Sequence, residues 1–322
     1  MSRTFLIDTD TASDDAVALI MALRSPEIQV AAITVVSGNV PVDQGVTNAL
    51  LTAEFCGAAD VPVYRGTDRP LVRAAAHAQF FHGQDGLGDQ NYPPPAGKPQ
   101  QQHAVDALIA TVKDNPGLTL VTLGPLTNIA LAVARAPEIV NDIERCIVMG
   151  GAANTVGNVT PAAEYNIWYD PDAAQRVFHS GMAIEMAGCE LSTGPANITA
   201  AEMAHIRSFD TQLAHFAIDC NRAGIEANQN WLGDPGMALP DPVAMAIAID
   251  PTICIRQSKH HVTIETNSDL TRGMTVVDQL GVATDERNDP IWGTLVDGPP
   301  NVTVCWEIDI PRFKEMLYQV LK

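Results

Sequence analysis

The sequence predicts an α/β fold: an open, mostly parallel, Rossmann-like sheet flanked by helices, with a small antiparallel elaboration. Three observations carry this. Short apolar runs recur along the chain, and each stops at glycine or at a polar turn. Segments with helical spacing follow those turns. The runs are continuous rather than alternating, as strands buried on both faces are. Strand, turn and helix in repetition mean parallel strands joined by crossover helices.

The elements follow in chain order. Phe5-Leu6-Ile7 is the first strand, and Ala16 to Leu23 the helix behind it. Val30 to Val36 is a β-branched run that stops at Ser37-Gly38-Asn39, and Asp43 to Cys56 then carries helical spacing. Residues 64 to 103 hold Pro93-Pro94-Pro95 with glycines and histidines, and read as a long, partly irregular loop able to act as a flap. Leu118 to Leu123 stops at Gly124-Pro125 and is followed by a helix from Leu126 to Arg135. Cys146 to Met149 ends at Gly150-Gly151, and Ala183 to Ala187 ends at Gly188. Leu239-Pro240-Asp241-Pro242 opens another helical stretch, Val243 to Ile249. After Ile253, His261 to Thr266 and Val302 to Ile308 read as antiparallel strands, and Pro311 to Leu321 as a last helix. No repeat or linker divides the chain, so residues 1–322 are expected to form one domain.

Composition narrows the function. With 46% hydrophobic and 18% charged residues, the 322-residue chain can bury a large core. Its 38 acids against 19 bases give a net charge of −19, which repels phosphate backbones and argues against a nucleic-acid partner. No apolar run approaches a membrane span, and the first residues do not read as a signal peptide. The six scattered cysteines show no Cys-x-x-Cys pair. Buried reduced thiols are the expectation, which points to the cytoplasm.

The chemistry gathers at Asp8-Thr9-Asp10-Thr11-Ala12-Ser13-Asp14-Asp15, where four carboxylates fall between the first strand and its helix. A cap at Ser13 or Asp14 accounts for part of this, and acids suit a first helical turn. Four mutually repelling carboxylates need more than caps, and a hard divalent cation held through oxygen, Ca²⁺ or Mg²⁺, supplies it. Neither an EF-hand nor a phosphate-binding glycine loop matches. The other strand ends add Asn39, the backbone at Leu123-Gly124, and beyond Gly151 the residues Asn158, Glu164 and Asn166; Asp241 comes late. Gathered on one rim, these make an oxygen-rich site suited to a cation and a neutral polyhydroxylated ligand.

These blocks resemble the calcium-dependent, inosine-uridine preferring nucleoside hydrolases. The first stretch is similar to that family's Asp-x-Asp-x-x-x-Asp-Asp signature. Val36-Ser-Gly-Asn39, His82-Gly-Gln-Asp-Gly-Leu-Gly88, Leu123-Gly-Pro-Leu-Thr-Asn-Ile-Ala130, Met149-Gly-Gly151, Ala163-Glu-Tyr-Asn166 and Asp241-Pro-Val243 follow in the expected order. The resemblance implies hydrolysis of the N-glycosidic bond of ribonucleosides to ribose and free base, in purine or pyrimidine salvage. It implies Ca²⁺ on Asp10, Asp15, Asp241 and the Leu123 carbonyl, with Asp10 also the general base for water. It implies that Asp14, Asn39, Glu164 and Asn166 grip the ribose and that Asn158 reaches the 5′-hydroxyl. It further implies a homodimer or homotetramer.

His82 and Tyr165 are candidate site-facing residues, and Met149 a candidate nucleoside contact, although a Met ending an apolar run is ordinarily core. Trp168, Trp231 and Trp292 are candidates for stacking on the base, against their usual packing role. One position departs from the family: many members carry, just before the late Asp, a His proposed to protonate the leaving base, and here that residue is Pro240. Two alternatives stand beside the hydrolase. One is a non-catalytic nucleoside- or ribose-binding homologue that keeps the metal site. The other is a metal-dependent phosphohydrolase built on Asp8 and Asp10, which would want a Lys or Arg at the rim.

Overall fold

The computed structural model describes residues 2–233, 236–292 and 299–322. The Trp231 and Trp292 side chains, both stacking candidates, lie outside what is described. The first third runs β1 (Arg3–Thr9), α1 (Ser13–Arg24), β2 (Ile28–Val35), α2 (Val42–Phe55), β3 (Val63–Arg65) and a short α3 (Gln79–His82). The middle runs α4 (Ala104–Asp114), β4 (Leu118–Thr122), α5 (Thr127–Arg135), β5 (Ile143–Met149), α6 (Tyr165–Tyr169), α7 (Pro171–Phe178) and β6 (Ile184–Ala187). Helices α8 (Ala200–Arg207), α9 (Gln212–Asp219), α10 (Arg222–Leu232) and α11 (Pro240–Ile249) come next. The chain closes with β7 (Cys254–His260), β8 (Val262–Ile264), β9 (Thr275–Val277), α12 (Asp289–Trp292), β10 (Val302–Ile308) and α13 (Ile310–Leu321).

Eight strands form one sheet in the order β3-β2-β1-β4-β5-β6-β10-β7, and β8 and β9 form a separate antiparallel pair. Every neighbour pair of the large sheet is parallel except β10 with β7. The chain leaves β1 toward β2 and β3 on one side, then returns to place β4 on the other. That reversal between β1 and β4 is the topological switch point, where open α/β sheets leave a crevice beyond their strand ends.

The continuous apolar runs follow from two cores, one on each face. Phe5 and Ile7 point into the layer under α1, α2, α11 and α13, while Leu6 points into the layer under α4, α5 and α7. Val121 and Leu120 divide in the same way, as do Ile147 and Cys146. The side-chain period of two is preserved, but both faces are apolar because helices cover both. Helix α11, Pro-Asp-Pro-Val-Ala-Met-Ala-Ile-Ala-Ile, is buried from Asp241 to Ile249 and packs against α1. Its apolar character all round is that of an interior helix.

Three expectations change. Val302–Ile308 is not part of a separate antiparallel unit: β10 extends the main sheet parallel to β6 and is antiparallel only to the edge strand β7. The six thiols are not all free. Cys254 and Cys305, 51 residues apart, are joined in a disulfide with Cα atoms 6.1 Å apart, because β7 and β10 are sheet neighbours. Cys56, Cys146, Cys189 and Cys220 are free and buried. Within the irregular 64–103 stretch, β3 pairs with β2, α3 carries His82, and Gln100 bridges back to Tyr64. Among the described residues no helix is long and apolar enough to cross a membrane.

Candidate active site

The acidic stretch leaves β1 at the switch point and enters α1 within a few residues. Thr11 sits at φ +25°, a conformation that costs a β-branched residue about 1–3 kcal/mol. It is held there from both sides: the Thr11 carbonyl accepts from Asn48 Nδ2 at 2.9 Å, and the Thr11 amide donates to Thr9 Oγ1 at 3.0 Å. The helix begins without a side-chain cap from Ala12, and neither Ser13 nor Asp14 serves as one. Asp15 reaches back instead, its Oδ2 accepting from the Ala12 amide at 2.9 Å while its Oδ1 accepts from Thr9 Oγ1. Late in the chain, Pro240 stands at the first turn of α11, where its missing N–H costs nothing, and sets Asp241 at that helix's N-terminus. Two helix N-termini, α1 and α11, thus carry Asp14, Asp15 and Asp241. Their positive dipole ends offset part of the repulsion.

The carboxylates converge. Ligand atoms of Asp14, Asp15 and Asp241 lie within 4.8 Å of one another, and all three residues are buried. Asp10 adjoins them: the Asp15 and Asp14 charges act on its carboxyl, and its Oδ2 accepts from the Asn39 amide at 2.5 Å. Burial, then the neighbouring charges of Asp15, Asp14 and Asp10, hold the Asp241 carboxyl well above the usual range. Burial and Asp15 do the same to Asp10. Burial raises Asp14 to about 6, and burial with the Asp14 charge raises Asp15 to about 6.

Oxygen atoms without partners test whether a cation fits here. Asp10 Oδ1, Asp14 Oδ1 and Asn166 Oδ1 are buried acceptors lacking a hydrogen bond. Such atoms cost about 1–3 kcal/mol each when left unmet, and a hard cation together with the hydroxyls of a bound ligand would meet them. The donor set holds carboxylate and amide oxygen and no sulfur, which suits a hard ion.

The other expected residues are placed as follows. Asn39 is buried, with its backbone bound to Asp10. Glu164 caps α6, its carboxylate accepting from the amides of Asn166 (2.8 Å), Gly151 (2.9 Å) and Ile167 (3.2 Å). Burial pushes its pKa up to about 7. Asn166 Nδ2 donates to the Leu123 carbonyl at 2.8 Å and faces the Met149 carbonyl and sulfur at 3.3 Å. Asn158 is exposed, and its Oδ1 accepts from the Tyr165 amide. The Tyr165 hydroxyl donates to the Ala76 carbonyl, pinning the 64–103 stretch to α6. His82 is buried against α1, with Nδ1 2.8 Å from Ser13 Oγ and 3.8 Å from Asp14 Oδ1. Burial lowers its pKa to about 4, so the imidazole is neutral near pH 7. Trp168, a stacking candidate, has its ring covered by the Arg272 guanidinium at 4.2 Å and packs instead.

Three residues of the quoted motif blocks act by positioning others, Asp8 as its place beside Asp10 allows, and Asn128 and Gly38 without a role assigned from sequence. Asp8 is wholly buried, with Oδ2 accepting from Thr34 Oγ1 (2.6 Å) and Asn128 Nδ2 (2.8 Å), and burial raises its pKa to about 7. Asn128 also ties in the loop after β3, its Oδ1 accepting from Thr67. Its only sequence signal is its place in Leu123–Ala130, just behind a strand-end turn. Gly38 is required by contact: a Cβ there would stand 2.0 Å from Asp10 Oδ2.

The comparisons agree with this geometry. Residues 5–315 match the family described as inosine-uridine preferring nucleoside hydrolase. A pyrimidine-specific ribonucleoside hydrolase, RihA, of Shewanella woodyi is 37% identical over 325 residues, covering 100% of this chain and 99% of the relative. A solved plant nucleoside hydrolase superposes with a TM-score of 0.89 at 31% identity, covering 100% of this chain and 99% of its own. A purine-preferring ribonucleoside hydrolase from Gardnerella vaginalis gives 0.88 at 32%, covering 99% and 98%. With carboxylates gathered at the switch point and similarity along the whole chain, this protein belongs to the inosine-uridine preferring nucleoside hydrolase family and hydrolyses ribonucleosides to ribose and free base.

Proposed function

We propose that the whole chain acts as one nucleoside hydrolase-like domain, residues 1–322, that is Ca²⁺-dependent, with Asp10 as general base. The observation that carries this is the buried convergence of Asp14, Asp15 and Asp241 beside Asp10, with acceptor oxygens left unmet. Asp10, Asp15, Asp241 and the Leu123 carbonyl would hold the ion. When bound, Ca²⁺ supplies Lewis acidity that makes a water easier to deprotonate and orients the ribose diol. Asp10 Oδ1, which has no partner, accepts the proton from the attacking water, while the Asn39 amide holds Oδ2 in place. Asp14, Asn39, Glu164 and Asn166 bind the ribose hydroxyls, Asn158 binds the 5′-hydroxyl, and Met149 lines the sugar. His82 and Tyr165 are the remaining substrate-binding candidates. The ring of carboxylates favours the positive charge that the ribose gains as the bond to the base lengthens.

No imidazole stands at position 240, and His82 is neutral. The base therefore departs without a charged protein acid, and solvent protonates it. The relatives divide between pyrimidine and purine substrates, so the test is a panel of both classes, assayed for reducing-sugar release with Ca²⁺ and after EDTA. Release that EDTA abolishes and Ca²⁺ restores is expected. Nucleosides that bind without any release, from the panel or from p-nitrophenyl riboside, would instead indicate the non-catalytic reading. The enzyme is further proposed to serve nucleoside salvage in the cytoplasm as a homodimer or homotetramer, which light scattering after gel filtration measures.

A further inference from the structure

Apart from the carboxylate site, the loop after β3 and the N-terminal ends of α4 and α5 line an open cavity of about 290 Å³. We propose that this cavity binds a phosphate group, as the free ion or as a small phosphomonoester. The chain carries twice as many acids as bases, 38 against 19, yet the cavity lining holds Arg65, Arg69 and His103 beside Asp68, with the Asp170 carboxylate behind the wall already taken up by the Leu71 amide and the Thr127 hydroxyl. Arg65 is already immobilised. Its Nε and Nη2 meet the Asp43 carboxylate at 2.6 and 3.3 Å, and its Nη1 donates to the Gly66 carbonyl. Arg69 is exposed and makes no hydrogen bond or ion pair among the described residues, so its guanidinium remains available for two-pronged contact with an oxyanion. His103 Nδ1 accepts from the Val105 amide at 3.2 Å, which leaves Nε2 as the ring's donor.

Backbone charge adds to these side chains. Thr127 is the first residue of α5, whose N-terminus has no side-chain cap and lies at the cavity, while the α4 N-terminus there is capped by His103. Leu71 and Leu131 supply an apolar wall for whatever carries the phosphate. The volume lies near the lower limit of ligand pockets, roughly 300 Å³, and so favours a pentose-sized phosphomonoester over a nucleotide. The lining reaches the active site through one side chain. Thr67 donates to Asn128 Oδ1 at 3.0 Å (amide) and 3.1 Å (hydroxyl), and Asn128 Nδ2 donates to Asp8.

The test titrates inorganic phosphate and ribose 5-phosphate separately into the full-length protein by calorimetry, with stoichiometric Ca²⁺ and constant ionic strength. Saturable binding with a Kd of about 1 mM or tighter is expected for at least one probe. Tighter binding of ribose 5-phosphate identifies a phosphomonoester site, and equal binding a site for the free ion. Arg69→Ala should weaken binding about tenfold, the loss of one charged pair. Lys98→Ala, which removes an exposed charge outside the cavity, should leave it unchanged. Arg69→Gln serves the same purpose if the alanine variant does not fold. No saturation by about 10 mM, or equal losses from Arg69→Ala and Lys98→Ala, overturns the proposal.

Discussion

Asp10 is aimed rather than merely present. One carboxylate oxygen is fixed by the Asn39 amide, and the other is buried without a partner. Asp10→Asn should therefore reduce kcat by at least about 10²-fold, the usual cost of losing a general base, while the melting temperature changes little. Retention of a tenth of the turnover would contradict its role. His82 makes a different case. A neutral imidazole against Ser13 and Asp14 orders the site but is not an imidazolium acid near pH 7. His82→Ala should thus slow inosine and p-nitrophenyl riboside by similar factors. A loss confined to inosine would mean that His82 does protonate the base.

The elements bring these residues together by ending where they do. β1 and β4 stop side by side, with Asp8 paired to Thr122, and the Leu123 amide donates to the Asp8 carbonyl at 2.8 Å. The turn after β2 passes so close that Gly38 has no room for a side chain: a Cβ would lie 2.0 Å from Asp10 Oδ2 and 2.8 Å from Pro125. Gly38→Ala should displace Asp10 and lower kcat about 10²-fold, the scale of a 1 Å misplacement, at a stability cost of about 1–3 kcal/mol. Steady-state kinetics with a thermal melt separates the two effects. At the opposite edge, the disulfide ties β7 to β10. Thiol titration of the denatured, unreduced protein should find four free thiols rather than six. Reduction should destabilise the wild type by about 2–4 kcal/mol and leave Cys254→Ala unaffected. Six titrating thiols would mean that the bridge does not form.

For the whole molecule, the carboxylate cluster couples stability to pH and to the ion. Burial raises Asp8 and Glu164 to about 7 and Asp14 and Asp15 to about 6, above ordinary values of 3.8 for Asp and 4.5 for Glu. The metal-free folded state then holds protons more tightly than the unfolded chain. Its stability is greatest at low pH with respect to these groups and falls as pH rises from about 4 through about 7. If the proposed Ca²⁺ binds at the cluster, it competes with the protons on Asp15 and its neighbour Asp14, so the stabilisation it gives should be larger near pH 8 than near pH 5. Calorimetric melts with Ca²⁺ and with EDTA at both pH values measure this. An equal shift at both would show that the ion does not bind at these carboxylates.

Strands β3 and β7 and helices α4 and α7–α10 are not marked in the sequence, but the parallel α/β class, strands β1, β2, β4, β5 and β6, helices α1, α2, α5, α11 and α13 and the acidic loop at the sheet's centre are legible there. Those features are local: apolar runs, turn residues and helical spacing all lie within a dozen positions of one another. It also supplied Glu164, Asn166 and Asp241 as candidates, through the order of their motif blocks. What only the tertiary structure decided depends on contacts between distant segments. Thr34 and Asn128 meet on Asp8 from 26 and 120 residues away. Cys254 and Cys305 bond because β10 enters the sheet between β6 and β7. Ser13 takes His82 rather than capping its helix. Spacing along a chain cannot encode such pairings, because strand order is settled only when the whole sheet assembles.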